Sequence, residues 1–249
     1  MSKQFVKFGI TERGDVAFHN EWIELVRTGK VQAAILISKG LPTPKGKEAV
    51  KDMKDRIIFH ATTTGYGGTQ LEPGVKTYAL RLAEPAQFCQ ETGLPYGHVV
   101  VRVDPIIPTA KGVETAERVV RLAFALGFRR FRYSWMDVYG HVVQRFKDAG
   151  LSVPPKVQEA DPEIVKGFVD TFCAFYEKMG AWFESCAEVN RHQAGCISAV
   201  DFEICGLDSS AAVGKSQQRA ACMCCGNKTE LLNHKGRCPH KCLYCYWKN

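Results

Sequence analysis

Short apolar runs alternate with amphipathic segments along most of the chain, and this alternation restricts the fold more than any single residue does. Strands are expected at Gln4–Phe8, Gln32–Ile37, Arg56–Thr64, His98–Val103, Phe128–Trp135, Trp182–Cys186 and Ser198–Ile204. Helices are expected at Asn20–Arg27, from about Val75 to Gln90 with a kink or restart at Pro85, and through Val113, Ala116, Val120 and Ala123. Gly127 is placed to end that last helix. Two more helices follow, Gly140–Ala149 and one opened by Asp161–Pro162 as N-cap and first helical residue. Strand followed by helix, many times over, builds a parallel sheet with covering helices. About seven or eight such units in roughly 200 residues fit a TIM-like (β/α) barrel, complete or partial. The doubly wound alternative lacks a glycine-rich dinucleotide turn after its first strand.

The cysteines are unevenly placed. Six of the eleven lie in the last 28 residues: Cys222, Cys224, Cys225, Cys238, Cys242 and Cys245. Residues 1–210 are therefore assigned to the barrel and 211–249 to a cysteine-rich, iron–sulphur tail packed on it, joined through the small polar stretch Ala211–Gln218. Basic charge gathers in the same place, with a net +6 from Lys215 onward out of the formal +7. Two readings of this charge stand side by side. A basic tail suits nucleic acid, and ligated thiolates would also neutralise it. Cysteines at 11 in 249 residues are too sparse for a disulfide-stapled secreted scaffold. No apolar run approaches the roughly 18 residues of a membrane span. No apolar signal core follows Lys3, Lys7 and Arg13. A cytoplasmic globular protein with no membrane partner is the expectation.

The tail reads Cys238-Pro-His-Lys-Cys242-Leu-Tyr-Cys245, a C-x3-C-x2-C motif with Tyr244 before the third cysteine. Three thiolates on one short loop suit three corners of a 4Fe–4S cubane and leave the fourth iron for another ligand. The spacing resembles that of radical S-adenosylmethionine enzymes, in which the open iron binds the methionyl end of S-adenosylmethionine. A reduced cluster there cleaves the sulfonium bond to start radical chemistry. A zinc knuckle is the competing reading, although an uneven three-cysteine set suits tetrahedral zinc less well. The motif's place near the carboxyl terminus differs from its usual place after a first barrel strand.

Over most of its length the chain resembles an uncharacterised bacterial and phage family of unknown function, one whose C-terminal cysteine group is similar to the radical S-adenosylmethionine cluster. The matching segments are Thr11-Glu-Arg13-Gly-Asp15, Ser38-Lys39, Thr63-Thr64-Gly65-Tyr66-Gly67 with Leu71-Glu72-Pro73, and Arg102-Val-Asp104-Pro105-Ile106. They continue with Tyr133-Ser134, Asp137, Tyr139, Cys186-Ala-Glu188, Gly195-Cys196-Ile197 and the tail. Glu12-Arg13 stands where the family usually has two arginines, and the usual aromatic before the Thr/Ser-Lys pair is absent.

Arg13, Asp15, Lys39, Glu72, Arg102, Asp104, Tyr133, Asp137 and Glu188 are candidate catalytic residues at or beyond strand ends, where a barrel gathers its active site. Thr64 and Tyr244 are candidates for cofactor binding. Each of these also has a plain structural reading, such as an Arg102–Asp104 pair inside the barrel. The expected metal ligands are Cys238, Cys242 and Cys245 for an open cluster. Cys186, Cys196, Cys222 and Cys224 would hold a second, closed one, with Cys225 able to replace Cys224. A fourth ligand on the first cluster would instead make the protein an electron carrier or sensor. The resemblance implies S-adenosylmethionine as cofactor and a small-molecule or nucleotide-like substrate. It also implies a reductant protein such as a flavodoxin or ferredoxin. The alternatives are a nucleic-acid-binding or base-modifying protein and a non-catalytic iron–sulphur or zinc protein.

Overall fold

The structure, a computed structural model, describes residues 6–186, 188, 192–212, 223, 228–233 and 238–247. It is an α/β fold built on a curled, all-parallel sheet of eight strands. In chain order these are β1 (Phe8–Ile10), β2 (Ala33–Ser38), β3 (Ile57–Thr62), β4 (Val99–Ile106), β5 (Arg130–Trp135), β6 (Trp182–Cys186), β7 (Gln193–Ala194) and β8 (Lys228–Glu230). They lie side by side in the order β7-β6-β5-β4-β3-β2-β1-β8. β8 comes from the cysteine-rich segment and pairs in parallel with β1.

The helices are α1 (Trp22–Arg27), α2 (Pro44–Asp52), α3 (Tyr78–Thr92), α4 (Ala110–Ala125), α5 (Gly140–Asp148), α6 (Pro162–Lys166), α7 (Ala174–Lys178) and α8 (Ala199–Ile204). Local chemistry explains their ends. Thr43 and Thr109 each accept a hydrogen bond from the backbone N–H three residues on, and Asp161 caps α6 with Pro162 at its first position. Gly127 follows α4 with φ of 95°, a left-handed turn that other residues adopt at a cost. Pro85 sits inside α3 without breaking it.

Two expected elements differ. Residues 198–204 form the helix α8 and not a strand, because Ser198 and Asp201 make a reciprocal capping box, with Ser198 N donating to Asp201 at 2.8 Å. The first strand is Phe8–Ile10, later than expected, and residues 1–5 lie outside the described set. α2, β7 and β8 were not foreseen. The segment 213–220, most of the expected linker, is also outside the described residues.

Strand periodicity sorts side chains between two faces. Leu36, Phe59, Val101, Phe131 and Phe183 point outward into the main core beneath the helices. Phe8, Ile10, Ile35, Ile58 and Val100 point into the concave side. There α8 fills the curl, and Phe202 packs on Phe8 with ring centroids 4.8 Å apart. That contact brings the β1 end of the sheet close to the chain that follows β7.

The concave side also holds charge. Arg130 donates to Asp201 at 2.6 Å, and Arg132 reaches both Glu184 and Asp201, all of them buried. Burial opposes the ionisation of Asp201. The Arg132 and Arg130 guanidiniums outweigh it and hold its pKa below the ordinary value. Removing one partner of such a network leaves the other charges buried and unpaired. Asp201→Ala should therefore destabilise the fold by about 3–5 kcal/mol in urea unfolding. A loss under about 1 kcal/mol would mean that water already reaches these arginines.

Candidate active site

In a parallel sheet every strand carries its carboxyl end to the same side, so residues just past different strands converge. Here they line one cavity of about 500 Å3. β1 contributes Glu12, Arg13 and Asp15, and β2 contributes Ser38 and Lys39. β4 contributes Arg102 and Asp104, β5 Ser134 and Asp137, and β6 Cys186, while Cys196 follows β7. The other wall is the tail: Cys238, His240, Cys242, Tyr244 and Cys245 all line the same space.

The tail loop is tied down through specific bonds. Asp15 accepts from the Ser38 hydroxyl, from Lys39 N at 2.9 Å and from Ala17 N at 2.8 Å. Its other polar neighbour is His240, whose Nε2 lies 2.9 Å away. The second ring nitrogen of His240, Nδ1, lies 3.1 Å from the Gly74 carbonyl. The imidazole thus bridges Asp15 on one side and Gly74 on the other. Burial opposes the charge on Asp15, but His240, the Lys39 N–H and the Ser38 hydroxyl hold its pKa below the usual carboxylate value.

Gly74 lies directly beneath the loop: a Cβ there would be 2.5 Å from the Pro239 carbonyl oxygen. Gly74 N also donates to His240 O at 3.2 Å, and Leu243 N to Leu71 O at 3.0 Å. Lys241 turns the loop with φ of 52°. At the far end Arg145 of α5 donates to the carbonyls of Cys245 at 2.7 Å and Trp247 at 2.8 Å. Trp247 Nε1 in turn donates to Glu12 O at 3.1 Å, and Arg13 lies over the Trp247 ring.

Lys39 joins the two walls, donating to Glu72 at 2.6 Å and to the Tyr244 hydroxyl at 3.0 Å. Burial works against its charge, while Glu72 and Cys242 favour it and raise its pKa. Arg102 pairs with Asp104, which also accepts from Ser134. Burial pushes Glu12 up to about 7, with Cys196 adding to the effect and Lys228, 2.5 Å away, opposing it. Burial also raises the Cys238 thiol and pushes Cys242 to about 12. Binding a cation through these sulphurs would therefore release protons.

Arg13, Asp15, Lys39, Arg102, Asp104, Asp137, Tyr244, Cys186, Cys196, Cys238, Cys242 and Cys245 thus share one cavity. Glu72 stands behind it as the partner of Lys39. Thr64 is buried outside the lining, accepting from Tyr66 N at 3.3 Å. Tyr133 lies on the helix side of the sheet, because an odd position on β5 faces away from Arg132 and Ser134. Its ring packs on Phe168 and its hydroxyl meets His192 at 3.1 Å. Glu188 accepts from Trp135 N at 3.1 Å behind the cavity wall. Cys222, Cys224 and Cys225 lie outside the described residues. Among the described residues no three His, Cys, Asp or Glu side chains converge closely enough for a single metal ion. No described helix is long and apolar enough to cross a membrane.

A domain of unknown function, DUF1848, matches residues 14–247. The chain belongs to this family. Neither a curated protein nor a solved structure matches it. The DUF1848 match takes in cavity residues from Asp15 on the strand-end wall to Trp247 on the tail. Glu12, Ser38, Ser134, His240 and Arg145 are additions that the sequence reading missed. His240 sits inside the cysteine motif itself, and two cysteines flanking a histidine were a signal for it.

Two outcomes test this docking. Gly74→Ala should displace the loop through the clash with Pro239, speed alkylation of Cys238 and Cys242 about tenfold or more, and lower the thermal melt by a few degrees. Unaltered thiol reactivity would show that the loop does not rest on Gly74. Asp15→Asn should cost about 2 kcal/mol at neutral pH. A depressed carboxylate stabilises the fold above its unfolded pKa of about 4, and that stability is lost as pH falls through the folded value. The gap between wild type and variant, read by urea unfolding, should therefore close on acidification, and a pH-independent gap would refute the assignment.

Proposed function

We propose that this DUF1848 member is an iron–sulphur enzyme resembling the radical S-adenosylmethionine enzymes, built on a TIM-like barrel with a cluster-binding tail. One observation carries the reading. Cys238, Cys242 and Cys245, at the end of the chain, line the same cavity as the charged residues that follow β1, β2, β4 and β5.

The donor set fits the group. A mononuclear zinc needs all its ligands at about 2.0–2.3 Å from one point. A cubane takes one thiolate per iron, so its three protein ligands need not meet at one point. The three thiolates would also be balanced locally. Lys39 lies close enough to favour the Cys242 anion. Cys238, Cys242 and Cys245 would hold a 4Fe–4S cluster, which would supply one-electron reduction of the sulfonium of S-adenosylmethionine.

The remaining work falls to side chains of this protein. Asp15, Gly74 and Arg145 hold the loop at three points, which fixes where the cysteines present their sulphurs. Arg13, Arg102, Asp104 and Asp137 offer both signs of charge within the cavity, suited to a ligand with amino and carboxylate ends. Tyr139 and Trp247 supply flat apolar surface for a nucleoside. The volume, about 500 Å3, is in the range of small-molecule sites. The partly enclosed site also restricts the water that would quench reactive species.

Protein purified and reconstituted without oxygen should hold iron with acid-labile sulphide. Reduced, it should release 5′-deoxyadenosine from S-adenosylmethionine. Cys238→Ala, Cys242→Ala and Cys245→Ala should each bring that release to background. Stoichiometric zinc, or bound iron with no cleavage, would defeat the proposal.

A further inference from the structure

On the wall formed by β6 and β7 two other sulphurs meet. Cys186 Sγ and Cys196 Sγ are 3.2 Å apart, in direct contact and unbonded. Cys186 is the last residue of β6, and its register partner on β7 is Ala194, two residues before Cys196. Neighbouring strand ends therefore bring the pair together on a rigid scaffold. Both side chains are buried from bulk solvent yet line the cavity. Glu12 approaches Cys196 from the end of β1 as a hydrogen-bond partner, and Arg102 lies within electrostatic reach of both sulphurs.

Two sulphurs in contact would have to part to ligate different irons of a cubane. A disulfide, by contrast, needs an S–S distance of about 2.05 Å, so closing the bond asks for roughly 1 Å of movement. We propose that Cys186 and Cys196 form a redox-active dithiol in the cavity wall, one that delivers two electrons and two protons to an acceptor of the disulfide class. One sulphur, deprotonated, attacks the S–S bond of a low-molecular-weight disulfide and expels the first small thiolate. The second sulphur then displaces the other half, forming the Cys186–Cys196 bond. The two protein thiol protons end on the two departing thiols, so the exchange balances with no further oxidant. Excess small thiol runs the same steps backward and restores the dithiol. Burial and the mutual contact keep Cys186 in its thiol form, so the exchange is slow and confined to acceptors that enter the cavity. The centre works without the cluster proposed above and stands or falls independently of it.

The test uses the full-length protein, as purified and after iron removal by a chelator, held without oxygen in glutathione buffers of graded ratio. Free thiols are then alkylated under denaturing conditions and peptides mapped by mass spectrometry. Both preparations should show a Cys186–Cys196 cross-link that rises with oxidised glutathione and vanishes on addition of dithiothreitol. Cys186→Ser and Cys196→Ser should each lose it completely. The triple variant Cys238→Ser/Cys242→Ser/Cys245→Ser should keep it. The iron content of the Cys186→Ser and Cys196→Ser proteins should match that of wild type. Full alkylation of Cys186 and Cys196 at every ratio would overturn the proposal. So would cross-links to other cysteines in place of this one, or loss of iron in Cys186→Ser or Cys196→Ser.

Discussion

Parallel strands all end on the same side, and the chemistry of this protein depends on that constraint. Arg13, Lys39, Asp137 and Cys186 are separated by long stretches of sequence, yet each follows or ends a strand whose neighbours run the same way, and Arg102 joins them from within β4. The curl brings the β1 end and the chain beyond β7 within reach of each other, through Phe8 and Phe202 at one level and Glu12 and Cys196 at another. A flat sheet with the same strand order would spread those residues along a line. The cavity exists because α8 and the buried arginine–carboxylate network fill the lower part of the concave side and leave the upper part open.

The tail answers a different problem. A loop with three cysteines cannot position itself by a hydrophobic core of its own, so it borrows contacts from the barrel-like body. Gly74 gives it close approach, and Asp15 a charge-assisted bond through His240. Arg145 closes the orphan carbonyls at its far end. β8 adds a strand to the sheet shortly before the loop begins, which shortens the length of chain that must find its place. Docking of the loop and integrity of the strand ends are thereby one property, and damage to either exposes the same thiols.

The cavity has two sulphur-bearing walls of unlike character. On the tail side the three cysteines stand on a single loop, with Lys39 near enough to Cys242 to favour its thiolate. On the β6–β7 side two thiols touch each other, and Glu12 hydrogen-bonds with Cys196. Both face the same enclosed volume, so whatever binds there meets both.

The order of strands and helices was legible locally, because burial on both faces writes itself as valine- and isoleucine-rich runs such as Val99–Val103, and helix ends carry their own caps at Thr109 and Asp161. The cysteine motif was equally plain from spacing. Ser198–Ile204 misled because its apolar residues also alternate, while the Ser-x-x-Asp cap that decides the matter is a pattern four residues long. Tyr133 lies within β5, where a period of two leaves it on the helix side, and periodicity alone does not say which face is concave. Short strands such as Gln193–Ala194 carry too few residues for any period to register. The sequence by itself determined the kinds of element and the chemical groups available, since these follow from neighbours a few positions apart. Only the tertiary structure decided that Cys186 meets Cys196, that His240 binds Asp15 and that the tail closes over the strand ends. These contacts arise from strand pairing and from the curl of the sheet, which no local pattern encodes; Cys186 and Cys196 meet across the paired ends of β6 and β7, and His240 and Asp15 across most of the chain.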